Sequence, residues 1–164
     1  MSNFEPEILW EVYNGGQTFE SFCENIIPKM AFNKNVPEEI QLRMTGIRKL
    51  LEHSYYEYCF IDIAMERCFT TFELALHKKH KLVHPGKEGL KNFKPYMSWA
   101  VSKKYLNMTE DQKKHIEYLR NTITHPKEVL SLGIMSLSAI RVVEELINDL
   151  YTSEQNLSSI PRWA

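Results

Sequence analysis

From Ile40 to Ala75 the chain places an apolar or small residue at alternating steps of four and three without losing phase. The positions are Ile40, Met44, Ile47, Leu51, Ser54, Tyr58, Ile61, Met65, Cys68, Phe72 and Ala75. A helix with about 3.6 residues per turn returns to one face at those steps, so the stripe predicts helix throughout. Pro37 fits a first helical turn, and Glu38 and Glu39 suit the positive end of the helix dipole. The stripe closes on the basic run His77-Lys78-Lys79-His80-Lys81, which complements the negative end, before His84-Pro85-Gly86. A straight helix from Pro37 to His80 is about 66 Å long at about 1.5 Å per residue. A compact chain of this size has a radius of gyration of only about 15 Å. The helix therefore either bends, with Ser54 or Gly46 as the places, or projects its first half onto a second copy.

The remaining segments are helical as well. Pro6 to Tyr13 reads as a short helix showing Ile8, Leu9 and Trp10, stopped by Asn14-Gly15-Gly16. Thr18 caps a second short helix carrying Phe19, Phe22 and Ile26, and residues 28–36 read as a loop. After a linker from Lys87 to Phe93, Pro95 opens a helix with Tyr96, Trp99, Ala100 and Tyr105. Thr109 and Gln112 form a capping box for the next, which buries Ile116, Leu119 and Ile123. The last runs from near Ser131 to Tyr151, with Leu137, Ile140, Val143, Ile147 and Leu150 on one face. No strand alternation, Gly-rich phosphate loop or internal repeat interrupts this pattern. The expectation is an all-α, antiparallel bundle of four or five helices over residues 37–152, with a short helical N-terminal arm and loop (1–36) and a C-terminal tail (153–164).

With 43% apolar and 25% charged residues the chain belongs to the globular class, and 164 residues suit one domain. Twenty basic residues against 21 acidic ones leave no global field for nucleic acid, so a polyanion site must come from local clustering. No apolar run approaches a membrane span and no signal sequence opens the chain. Cys23, Cys59 and Cys68 have no metal-type spacing, so the expectation is a reduced, cytoplasmic protein whose cysteines are packing or surface residues. His77, His80 and His84 have a spacing a metal would accept, but with no Cys or carboxylate beside them a solvated helix end is the favoured reading. No metal or other cofactor is expected.

The stretch with the most chemistry is Tyr118-Leu119-Arg120-Asn121-Thr122-Ile123-Thr124-His125-Pro126, at the junction of the last two predicted helices. Arg120 offers a permanently charged fork of donors suited to phosphate. His125 can exchange a proton near neutral pH, and Asn121 adds a neutral donor and acceptor. Together they suit a phosphodiester without a metal. Spacing alone is weak: six Arg and six His in this length give roughly 0.2 chance matches at any fixed separation.

An all-α domain with Arg-Asn-x-x-x-His between its last two helices resembles the HEPN family (higher eukaryotes and prokaryotes nucleotide-binding). The family signature is Arg, four to six residues, then His, often with Asn, Asp or His directly after the Arg. Ala64-Met65-Glu66-Arg67-Cys68-Phe69 looks like the Ala-x-Glu-Lys-Ala-Leu pattern of that family's first bundle helix. The likeness covers roughly Ile47 to Tyr151; Pro126 after the His is a departure.

What the resemblance implies is a symmetric homodimer with two Arg-x4-His motifs facing one cleft. Active members are metal-independent endoribonucleases of toxin-antitoxin and anti-phage defence systems, with RNA as substrate and an antitoxin as a possible further partner. By that likeness His125 is the general acid or base, Arg120 stabilises the phosphate charge, Asn121 holds the phosphate or the His, and Glu66 orients Arg120. Lys78, Lys79, Lys103, Lys104, Lys113 and Lys114 are candidates for the rim of the cleft. The alternatives are a HEPN-like module that binds a nucleotide or a protein without cutting, and a structural helical dimer.

Overall fold

The computed structural model describes Trp10, residues 18–124 and residues 135–152. The arm on either side of Trp10, residues 125–134 with the predicted start of the last helix, and the tail with Trp163 lie outside the described residues. Among those described there are six helices and no strand: α1 (Phe19–Asn25), α2 (Glu38–His53), α3 (Phe60–Val83), α4 (Phe93–Ser102), α5 (Glu110–Thr124) and α6 (Met135–Leu150). No described helix is long and apolar enough to cross a membrane.

The long stripe is two helices, not one. α2 ends at Ser54, and two overlapping turns follow, in which Tyr55 N–H donates to Glu52 O and Tyr56 N–H to His53 O. The Ser54 hydroxyl donates to Leu51 O at 2.6 Å, a local bond that competes with continuation of the helix. Ser54 is fully buried, so the corner occupies the very positions that a continuous stripe would bury. The phase survives because it records burial rather than the path of the backbone. Trp10 closes the corner: it is 1% exposed, its indole N–H donates to Ser54 O at 2.7 Å, and its ring packs 4.7 Å from Phe22 and 5.3 Å from Tyr58. Phe19 stacks on Tyr56 at 5.6 Å beside it.

α2 and α3 pack against each other, and the ion pair between Glu39, at the start of α2, and Lys78, late in α3, shows that they run in opposite directions. α3 is the centre of the molecule, touching α2, α4, α5 and α6. Its buried residues (among them Ile61, Met65, Cys68, Phe69, Phe72, Leu76 and His80) spread over more than one face, as a helix surrounded by others requires. Burial drives the Cys68 thiol far above its ordinary range, which leaves it inert packing. Leu137, Ile140, Val143, Ile147 and Leu150 of α6 are all buried, and the Tyr151 hydroxyl donates to Ala75 O at 2.9 Å.

The predicted loop at 28–36 is fastened to α6. Ala31 N–H donates to Glu144 Oε1 at 2.6 Å, Asn33 N–H to Asn148 Oδ1 at 2.9 Å, and Asn148 Nδ2 to Ala31 O at 2.9 Å. Phe22, Ile27 and Val36 belong to the same buried core as the long helices. Residues from the N-terminal third thus share the core of the long helices.

The close of α4 carries a backbone cost. Lys104 has φ 59°, the left-handed region, while its N–H donates to Val101 O and Tyr105 N–H to Ala100 O. This is the Schellman arrangement, in which glycine is the usual residue at the left-handed position. Lys104→Gly is expected to raise stability by about 0.5–1 kcal/mol, read as a higher midpoint in urea unfolding.

Candidate active site at the end of α5

α5 starts on the capping box the sequence predicts. Thr109 N–H donates to Gln112 Oε1 at 2.8 Å and Gln112 N–H to Thr109 Oγ1 at 3.2 Å. Ile116 is buried, and Leu119 and Ile123 are partly buried against the core. That register leaves Arg120 at the edge of the apolar stripe, facing α3 and α4. α4 itself begins at Phe93, two residues before Pro95; Phe93 is buried and Pro95 lies within the first turn.

Arg120 is held from three sides. Its Nη2 donates to Glu73 Oε2 at 2.8 Å and its Nη1 to Asn121 Oδ1 at 3.3 Å, and its guanidinium lies 5.6 Å from the centre of the Phe93 ring. The side chain is 19% exposed, so the charge is oriented and partly withdrawn from water. Asn92, Phe93, Lys94, Glu117, Arg120 and Asn121 line a cleft of about 330 Å³. Two cations, two amides and one carboxylate therefore surround a space large enough for a phosphate and a sugar.

The carboxylate that positions Arg120 differs from the one expected. Glu66 is exposed on α3, and Glu73, seven residues on, makes the contact. Seven residues are close to two full turns, so both carboxylates project from nearly the same face of α3. Only the axial register of α5 against α3 chooses between them.

The six candidate lysines do not make one rim. Lys78 pairs with Glu39 at 2.6 Å, and Lys79 lies over the rings of Tyr105 and Tyr151, at 4.6 and 5.6 Å. Lys113 is 12% exposed, paired with Glu110 at 3.0 Å and 3.4 Å from Ser98 Oγ. Lys103, Lys104 and Lys114 are exposed. Lys94, which no sequence motif marks, is the lysine that shares the cleft with Arg120. His125 and Pro126 lie outside the described residues; in sequence His125 directly follows α5.

Beyond Glu73 a second cleft of about 530 Å³ is bordered by Glu73, His77, Tyr96 and Gly89. A Cβ on Gly89 would stand 2.8 Å from the Tyr96 hydroxyl, so a larger residue there would have to displace that hydroxyl. Among the described residues no group of three or more His, Cys, Asp or Glu side chains is placed to hold a metal.

His80 instead joins an aromatic cluster, 4.8 Å from both His84 and Trp99 and 5.4 Å from Tyr96. Burial, with smaller contributions from His84, His77 and Lys87, holds its pKa below the ordinary value. The unfolded chain therefore takes up a proton below about pH 6.5 that the folded chain resists. This contribution is neutral to stability above that pH and destabilises as pH falls through it. His80→Phe is expected to lose less melting temperature than wild type between about pH 7.5 and about pH 5.5, in paired thermal scans.

No protein-family model, curated protein sequence or solved structure matches this chain.

Proposed function

We propose that the chain is a metal-independent endoribonuclease of the HEPN type, an antiparallel helical bundle working as a homodimer in defence or in a toxin-antitoxin pair. The observation that supports this most is Arg120, held by Glu73, Asn121 and Phe93 at a cleft it shares with Lys94, five residues before His125. A single Arg–His pair is a poor nuclease, and two copies related by a two-fold axis bring two cations and two proton carriers to one phosphate.

In this reading Arg120 and Lys94 bind the phosphodiester. His125 takes the proton of the 2′-hydroxyl, the 2′-oxygen forms a bond to phosphorus, and the bond from phosphorus to the 5′-oxygen breaks. The leaving 5′-oxygen receives a proton from a second imidazole or from water. Arg120 stabilises the charge that builds on the equatorial oxygens. The products are a 2′,3′-cyclic phosphate and a 5′-hydroxyl.

One observation favours a different reading. The Arg120–Glu73 pair, with side chains 19% and 32% exposed, also suits a tie between α5 and α3 with no catalytic purpose. Purified wild type and Arg120→Ala, incubated with mixed RNA in EDTA, separate the two. Cleavage by wild type that the variant loses supports the nuclease. A wild type that cuts nothing, with an Arg120→Ala that only melts earlier, supports the tie.

A further inference from the structure

We propose that the second cleft, across the Arg120–Glu73 pair, seats the base of the nucleotide whose phosphate lies on Arg120. The Tyr96 hydroxyl and His77 Nε2 are the groups that meet the polar edge of that base. This rests on the nuclease reading and gives its site a base pocket. The two clefts are neighbours: Arg120 borders the first, Glu73 borders the second, and the 2.8 Å bond between them is the partition. Asn92 lines the first and Lys91 the second, and Tyr96 lies about one turn after Phe93 on α4.

Tyr96 is the group that points to a ligand. It is 4% exposed, and among the described residues nothing hydrogen-bonds its hydroxyl, which keeps surface open to the cleft. A tyrosine buried to that degree ordinarily gives its hydroxyl a partner. Gly89 keeps the hydroxyl uncovered: a Cβ there would stand 2.8 Å from it and 3.5 Å from His77 Nε2. The Gly89 backbone is outside the left-handed region, so its conformation does not call for glycine. The missing side chain leaves a gap between a hydroxyl and an imidazole nitrogen, whose rings stand edge to face at 5.8 Å.

The lining says what enters that gap. A hydroxyl donates and accepts, and an imidazole nitrogen does either according to its tautomer, which suits the mixed donors and acceptors of a base edge. Leu74 and Leu90 offer an apolar wall to a flat ring, and about 530 Å³ is more room than a phosphate alone requires. The Glu73 carboxylate at the border disfavours a second phosphate in the same place.

Ligand-observed NMR titrations of the full chain in EDTA test this, with the ribonucleoside 5′-monophosphates and ribose 5-phosphate as probes. None of these has a phosphodiester to cut, so wild type serves throughout. The best-bound nucleotide is expected to bind about tenfold or more tightly than ribose 5-phosphate, because it adds the burial of a ring face. Tyr96→Phe weakens that nucleotide by about three- to tenfold, the worth of one hydrogen bond, and leaves ribose 5-phosphate as it was. Gly89→Ala, which crowds the hydroxyl from the cleft side, does the same. Arg120→Ala weakens both ligands. Tyr96→Phe melts with the wild type, since the hydroxyl has no bond within the fold to lose.

Ribose 5-phosphate that binds as tightly as every nucleotide overturns the assignment. So do no binding of any probe, a nucleotide affinity that neither Tyr96→Phe nor Gly89→Ala lowers, or a Tyr96→Phe loss that ribose 5-phosphate shares. A Tyr96→Phe that melts well below wild type puts the hydroxyl in a bond of the fold and overturns it too. Wild type that cuts RNA while nucleotide binding ignores Tyr96 removes the base pocket alone. A Tyr96-dependent preference in a protein that cuts no RNA removes the nuclease reading alone.

Discussion

Arg120→Ala is expected to lower RNA cleavage in EDTA by about a hundred- to a thousandfold, and His125→Ala by about 10²–10⁴-fold. The first figure is the usual loss when one preorganised donor to a developing oxyanion is removed, the second the usual loss of a general acid or base. In the proposed mechanism the two groups act on one phosphate, so the double variant is expected to fall little further than the worse single one. Arg120→Lys keeps a charge but loses the fork that Glu73 and Asn121 hold, so it recovers only a small part of the rate. The measurement is the initial rate on a fluorescent RNA, run beside thermal scans. Arg120→Ala gives up the ion pair and the Phe93 contact, about 1–2 kcal/mol together, or a few degrees of melting temperature. That loss leaves the protein folded at room temperature, so a rate deficit of two or more orders cannot be assigned to unfolding. A variant that melts lower and cuts at the wild-type rate would make Arg120 a tie between helices.

Trp10→Ala is expected to destabilise the fold by about 3–5 kcal/mol, the range for emptying a large aromatic site. Trp10 is 1% exposed, and its indole fills the corner between α2 and α3 against Phe22 and Tyr58. It also supplies the donor to Ser54 O, which sits where the helix bonds stop. Truncation leaves both a cavity and an acceptor without that donor. Trp10→Phe keeps much of the packing and loses the bond, so its cost falls to about 1–2 kcal/mol. Urea unfolding followed by circular dichroism reads both. Equal stability of wild type and Trp10→Ala would mean that the corner holds without its clamp.

These two predictions rest on residues of unequal visibility in the sequence. The helical stripes, the capping box at Thr109 and Gln112, and the apolar face of α6 follow from period and cap chemistry, which are local, and the structure repeats them. The corner at Ser54 was legible only as one of two places to bend. A buried turn carries the same apolar spacing as a buried helix, and the length of an unbroken helix is accommodated equally by a bend at Ser54 or Gly46 or by a first half that projects onto a second copy. The function of Trp10 was not legible at all, since its partner is a carbonyl 44 residues away. Arg120 and Asn121 stand out by chemistry. Glu73, Phe93, Lys94 and Glu117 do not, because what gathers them is the register of α5 against α3 and α4. Glu66 and Glu73 show the limit most directly: two carboxylates on one face of one helix, of which packing selects the second.

The ends left on cut RNA test the central claim most directly. After incubation of wild type with a defined RNA in EDTA, mass spectrometry of the fragments should show a 2′,3′-cyclic phosphate on one side and a 5′-hydroxyl on the other. That pair of ends requires attack by the neighbouring 2′-oxygen, the chemistry assigned to His125 and Arg120. Uncut RNA, or fragments ending in a 3′-hydroxyl and a 5′-phosphate, would contradict it.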